Sequence, residues 1–140
     1  MSNRIIGAAL RVHEELGPGM LESAYEACLM YELLEQGFGV ERQKPVPVVY
    51  RGNQLDCGFR IDLLVEAVLA VEVKAIERLE RVHFAQLRSH LRFSHLKLGL
   101  LINFNVAWLP DGIRPASAKL RRGLAEARRV CPRRAQADAL

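Results

Sequence analysis

The sequence predicts an α/β domain, with helices flanking a mixed central β-sheet in the order ααβββαβ. Three observations predict it. Two stretches near the start space their apolar residues at helical intervals. Residues 40–74 hold short, β-branched apolar runs broken by Pro, Gly and Asn, which read as strands. A helical stretch then separates these from a nearly continuous apolar run over 97–104, the pattern of a strand covered on both faces.

Residues 5–16 place Ile5, Ile6, Ala9, Leu10, Val12 and Leu16 at helical spacing, and Gly17, Pro18 and Gly19 stop that helix. A second helix spans 21–36 and ends at Gly37. Leu21, Ala24, Cys28 and Leu29 form its apolar stripe, and Glu22, Tyr25 and Glu26 share an adjoining face. Residues 40–50 are extended, and Pro45 and Pro47 mark an edge strand or a bulge. Arg51, Gly52 and Asn53 form a turn. Residues 60–65 and 68–74 read as a strand pair, followed by a helix over 78–93. Phe84, Leu87 and Leu91 give that helix a core stripe, with His83, Gln86 and His90 on another face. Residues 97–104 are the buried strand, 106–109 a final short strand with Trp108 as an anchor, and 116–130 an Arg-rich helix. Residues 1–130 thus form one domain and 131–140 a basic, frayed tail.

At 140 residues, 50% hydrophobic and 26% charged, the chain has the composition of one globular domain with its own core. Cys28, Cys57 and Cys131 are scattered and odd in number, which excludes a disulfide framework and favours a reducing cytoplasm. No apolar run reaches membrane-spanning length, and no signal-peptide core is present, so a cytoplasmic location and no membrane partner are expected. The net charge of +4 is uneven. Residues 114–140 hold eight of the twenty Lys and Arg but two of the sixteen acids, a net of +6, leaving −2 for residues 1–113. Arg121, Arg122, Arg128 and Arg129 in that basic segment are candidate phosphate contacts. The alternative is a solvated charge run without aromatic residues for base stacking.

The chemistry concentrates at Asp62, Glu72 and Lys74, charged residues set inside apolar strands. Alternation puts Ile61, Leu63 and Val65 on one face and Asp62 and Leu64 on the other. Leu69, Val71 and Val73 likewise oppose Ala70, Glu72 and Lys74. Matching the apolar faces pairs Leu63 with Val71, which sets Asp62 beside Glu72 and demands an odd loop or a bulge over 66–68. Two carboxylates so close repel unless a cation joins them. Hard oxygen ligands suit Mg²⁺ or Mn²⁺. The bland alternative is an ion pair of Lys74 with either acid on a solvated sheet face. His83, His90 and His95 have no spacing of a standard zinc site.

Gly19, Glu22 and Tyr25 fit the pattern G-x-x-E-x-x-Y. With Arg60-Ile61-Asp62, Glu72-Val73-Lys74, Gln86 and the run from Gly99 to Phe104, the chain resembles the GxxExxY proteins of the PD-(D/E)xK nuclease-like superfamily over residues 4–124. The resemblance implies a restriction-endonuclease-like core. It implies that Asp62, Glu72, the Val73 carbonyl and Glu22 hold Mg²⁺ or Mn²⁺. It implies that Lys74 orients or deprotonates the attacking water, and that Gln86 is the glutamine of a Q-x-x-x-Y motif. Position 90 departs from that motif, being His where the pattern has Tyr. Tyr25 and His90 are supporting residues, and Tyr25 reads as a packing residue with a tethered hydroxyl.

The function expected is therefore a divalent-metal-dependent nuclease acting on DNA or RNA. The alternative is an inactive nucleic-acid-binding or protein-interaction module that keeps the nuclease fold. A third reading is a homodimer formed through the edge at 45–50.

Overall fold

A computed structural model describes residues 1–118. Two helices open the chain, α1 (Ser2–Leu16) and α2 (Glu22–Glu35). The strands β1 (Val40–Pro45), β2 (Val48–Tyr50), β3 (Asn53–Leu55), β4 (Arg60–Val65) and β5 (Leu69–Lys74) follow. Helix α3 (Arg81–Phe93), β6 (Leu98–Asn103), a 3-10 turn at Leu109–Gly112 and β7 (Ile113–Ser117) complete it. The main sheet runs β1-β4-β5-β6-β7, and β2 and β3 form a separate two-stranded hairpin. All pairs in the main sheet are antiparallel except β5 with β6. That parallel pair is bridged by α3, as a parallel connection requires.

The sheet is covered on both faces. Ile5, Ala8, Ala9 and Val12 of α1 and Tyr25, Leu29 and Leu33 of α2 pack on Leu63, Val65, Leu69, Val71, Val73, Leu100 and Ile102. On the opposite face, Leu87 and Leu91 of α3 pack on Ile61, Leu64, Ala70 and Leu101. Central strand β5 is consequently buried along five of its six residues. This is why residues 69–73 are apolar apart from Glu72.

The β4–β5 register is the one the alternation requires: Leu63 opposes Val71, Leu64 opposes Ala70 and Val65 opposes Leu69. Three residues, 66–68, join the strands. Glu66 and Ala67 take left-handed φ of 54° and 57°, and Val68 N–H closes on the Val65 carbonyl. Positive φ at two successive residues matches the right-handed strand twist, and Val68 is the extra residue.

Several sequence expectations are corrected. The α2 stripe is rotated: Tyr25, Leu29 and Leu33 are buried while Leu21 is 77% exposed. The extended stretch 40–50 divides at residues 46–47 into edge strand β1 and strand β2, and the turn at Arg51 and Gly52 folds β2 against an additional strand, β3. Val49, Tyr50 and Leu55 of this pair remain exposed. The apolar run at 106–109 is no strand, and Trp108 is 60% exposed, so it anchors nothing. Pro110 turns the chain there, and a Cβ at Gly112 would overlap the Asn103 carbonyl oxygen, so only glycine allows this approach. The final strand comes later, and Ala116 and Ser117 belong to β7 rather than to a helix. The rest of the expected Arg-rich helix, Arg121, Arg122, Arg128 and Arg129, and the tail at 131–140 lie outside the described residues. Ile61 packs with Leu64 on the α3 face, not with Leu63. The β4–β5 ladder ends at Leu63–Val71, and opposite Asp62 in β1 Gln43 takes a φ of 54°, so simple alternation lapses there.

Candidate functional site

Polar groups gather where β4 and β5 part. Beyond the Leu63–Val71 pair, the Asp62 carboxylate takes the place of a ladder acceptor, and Val73 N–H donates to its Oδ2 at 2.8 Å. In an antiparallel pair a residue's N–H and C=O face the same neighbour, so the Val73 carbonyl turns toward Asp62 as well. Glu72 is 5% exposed and lies against Asp62. Burial, then repulsion from Glu72 and from Glu26, pushes the Asp62 carboxyl from 3.8 up to about 7, against the Val73 N–H bond that pulls it down. Asp62 therefore titrates near neutral pH, beside an acid that repels its charge.

Each acid is held from its outer side. His90, on the sheet-facing side of α3, is hydrogen-bonded through Nδ1 to Glu72 Oε1 at 2.8 Å, and both side chains are buried. The Phe59 ring lies 5.4 Å from the imidazole. On the β1 side, the Gln43 amide donates to Asp62 Oδ1 at 3.3 Å and to Glu26 Oε1 at 2.8 Å. Arg42 Nε also donates to Glu26 Oε1 at 2.8 Å. The result is a continuous polar row, Arg42–Glu26–Gln43–Asp62–Glu72–His90, across one end of the sheet.

The remaining sequence candidates are placed as follows. Glu22, at the start of α2, is exposed, and its Oε1 accepts from Ala75 N–H at 3.3 Å. It thus ties α2 to the residue after Lys74. Lys74 ends β5 half-buried and forms no ion pair among the described residues. Neither ion pair of the bland alternative is made. Tyr25 stacks on Phe104 with centroids 4.6 Å apart; its hydroxyl accepts from Met20 N–H and donates to the Gly17 carbonyl. Gln86 is exposed on α3, one turn before His90, and makes no hydrogen bond among the described residues. The other histidines serve apart: His83 Nδ1 accepts from Glu80 N–H in a helix cap, and His95 is exposed.

Glu26 is the site residue that sequence reasoning passed over. It is buried, on the second turn of α2, and it acts on Asp62 electrostatically. Its signal was an acid on a helix face otherwise made of Tyr25, Leu29 and Leu33. Its partners, the Arg42 guanidinium that neutralises it and the Gln43 amide that donates to it, come from strand β1.

A second polar feature lies on the far side of α3. Arg88, Ser89, Arg92, His95 and Lys97 line a shallow groove that reaches Ala118, and no acid lines it among the described residues. Neither Arg88 nor Lys97 forms an ion pair among the described residues.

Hard oxygen donors fit a small dication here: two adjoining carboxylates and a strand carbonyl. Mg²⁺ is ordinarily held by one or two carboxylates, with water and substrate phosphate completing its shell. Among the described residues no three His, Cys, Asp or Glu side chains are gathered closely enough to hold an ion by themselves. Glu22 thus stands apart from the Asp62–Glu72 pair. No helix among the described residues is long and apolar enough to cross a membrane.

An α/β/α sandwich with paired carboxylates at the parting of two strands is the frame of a nuclease-like domain. The chain belongs to the PD-(D/E)XK nuclease superfamily, whose family model matches residues 1–115. Nucleases of this superfamily generally use divalent metal ions. No curated protein and no solved structure gives a significant match.

Proposed function

We propose that this chain is a divalent-metal-dependent nuclease of the GxxExxY kind that hydrolyses phosphodiester bonds in DNA or RNA. The observation that carries the reading is the pair Asp62 and Glu72, side by side at the end of β4–β5, with Lys74, in no ion pair among the described residues, ending β5. Asp62, Glu72 and the Val73 carbonyl would hold Mg²⁺ or Mn²⁺, and Glu22 would join through water. When bound, the ion neutralises charge at phosphorus and acidifies a water. Lys74, paired with no acid among the described residues, would serve as a cation for the attacking water or the phosphorane oxygens. Gln86, exposed one turn before His90, is free to hydrogen-bond a substrate phosphate.

The test is cleavage of labelled single- and double-stranded DNA and RNA with Mg²⁺ or Mn²⁺. Wild type cleaves at least one substrate, and Asp62→Ala and Lys74→Met do not. Equal rates for wild type and Asp62→Ala defeat the enzyme reading.

The groove on α3 favours a second reading, a non-catalytic nucleic-acid-binding module, because its cations need no metal to meet a phosphate backbone. Arg88→Ala combined with Arg92→Ala should flatten the slope of log affinity against log salt by about 2, one per lost contact. Binding titrations at several salt concentrations measure it. If binding survives in Asp62→Ala while no substrate is cut by wild type, the module reading stands in place of the nuclease.

A further inference from the structure

We infer that His90 is a positioning residue whose Nδ1–H holds Glu72 in the orientation needed to take a divalent ion. The inference rests on the nuclease reading and goes beyond it, because the superfamily pattern implied only that a tyrosine is missing at this position. A tyrosine hydroxyl can donate or accept, whereas an imidazole fixed by one bond commits one nitrogen to donation.

Three observations carry it. Glu72 sits on the central strand, 5% exposed, where a carboxylate without a donor is costly. The 2.8 Å bond from His90 Nδ1 engages one oxygen, Oε1, of a carboxylate that also meets Asp62. His90 is itself pinned: it is 8% exposed on α3, between buried Leu87 and Leu91, with Phe59 against its ring. Phe59 enters from the segment between β3 and β4, three residues before Asp62, so the strand that supplies one acid also steadies the support of the other. Groups that orient a metal-binding side chain are typically worth 10–100-fold in metal affinity.

Asparagine places its amide N–H near the position of Nδ1, glutamine near that of Nε2, and leucine keeps bulk but no donor. The experiment follows thermal shift against Mn²⁺ concentration for wild type, His90→Asn, His90→Gln and His90→Leu, with the cleavage rate at saturating Mn²⁺ alongside. The expected result is an Mn²⁺ midpoint at least 10-fold higher for His90→Leu and His90→Gln. His90→Asn should stay within about 3-fold of wild type. In metal-free protein, nitrogen NMR should show His90 as the Nδ1–H tautomer, and Glu72→Gln should abolish that preference. Should His90→Leu not fold, the contrast of asparagine with glutamine decides the matter. Midpoints that do not differ between those two, or an Nε2–H tautomer in wild type, overturn the inference and leave the nuclease reading untouched. A wild type that neither responds to Mn²⁺ nor cleaves any substrate removes the nuclease reading, and the inference with it.

Discussion

Asp62→Asn should stabilise the metal-free protein at pH 8 and at the same time remove both its response to Mn²⁺ and its cleavage activity. The two effects have one cause. The folded-state pKa of Asp62 is raised, from 3.8 to about 7, first by burial and then by Glu72. A raised carboxyl favours folding through its protonated form. That contribution is fully present below the unfolded value near 4 and is lost as pH rises through 7. Above pH 7 the wild type folds with two facing negative charges, whereas asparagine keeps an oxygen for Val73 N–H and offers Glu72 an N–H. Three pKa units correspond to roughly 4 kcal/mol, and solvent screening at a half-buried group reduces this to about 2 kcal/mol. Thermal or urea unfolding without metal, from pH 4 to pH 8, measures the difference between variant and wild type. It should be near zero at pH 4 and largest at pH 8. An equal difference at both ends would mean that the carboxyl is not raised. With Mn²⁺ the ranking reverses, because wild type gains by mass action and Asp62→Asn does not. Cleavage should fall on the order of 10³-fold, roughly 4 kcal/mol of barrier.

The part of this site that was legible in the sequence is the part fixed by neighbours close along the chain. A period-two pattern with one apolar match forces Leu63 opposite Val71 and requires the three-residue loop, and Asp62 and Glu72 meet just past the end of that ladder. The helices were legible for the same reason, although the α2 stripe was displaced because Leu21 looks apolar locally but is left exposed. What was hidden depends on distant partners. Nothing near Gln43 announces a left-handed φ, yet that conformation, opposite Asp62, places its amide between two acids. Glu26 is tolerated in the interior because Arg42, sixteen residues on, reaches it. His90 read as the loss of a tyrosine, and the structure gives that position a definite partner in Glu72. Strand β7 escaped notice because Pro115 and Arg114 break any apolar alternation, and its pairing is supplied by β6.

The second large effect expected is structural. Tyr25→Ala should cost about 4 kcal/mol, the usual range for deleting a fully buried ring, and Tyr25→Phe about 1–2 kcal/mol. Tyr25 is completely buried and stacked on Phe104, 7° from parallel, between α2 and the end of β6. Removing the ring opens a cavity where both helices meet the sheet. Removing only the hydroxyl keeps the stack but strands the Met20 N–H and the Gly17 carbonyl. Those two bonds close the Gly17–Pro18–Gly19–Met20 turn, in which Gly17 and Gly19 take left-handed φ of 66° and 99°. The turn in turn fixes where α2 begins, and Glu22, the first residue of α2, is held to Ala75 beside Lys74. Tyr25→Phe should therefore do more than its stability loss explains. At a temperature where the variant is fully folded, its Mn²⁺ midpoint should rise along with that of Glu22→Gln, and combining the two should add little. Urea unfolding gives the first quantity and an Mn²⁺ thermal-shift titration the second. A Tyr25→Phe protein that loses stability but binds Mn²⁺ as wild type does would confine the tyrosine of G-x-x-E-x-x-Y to packing. A shared effect with Glu22→Gln would make the motif a single device, in which the ring holds the turn and the turn aims the glutamate.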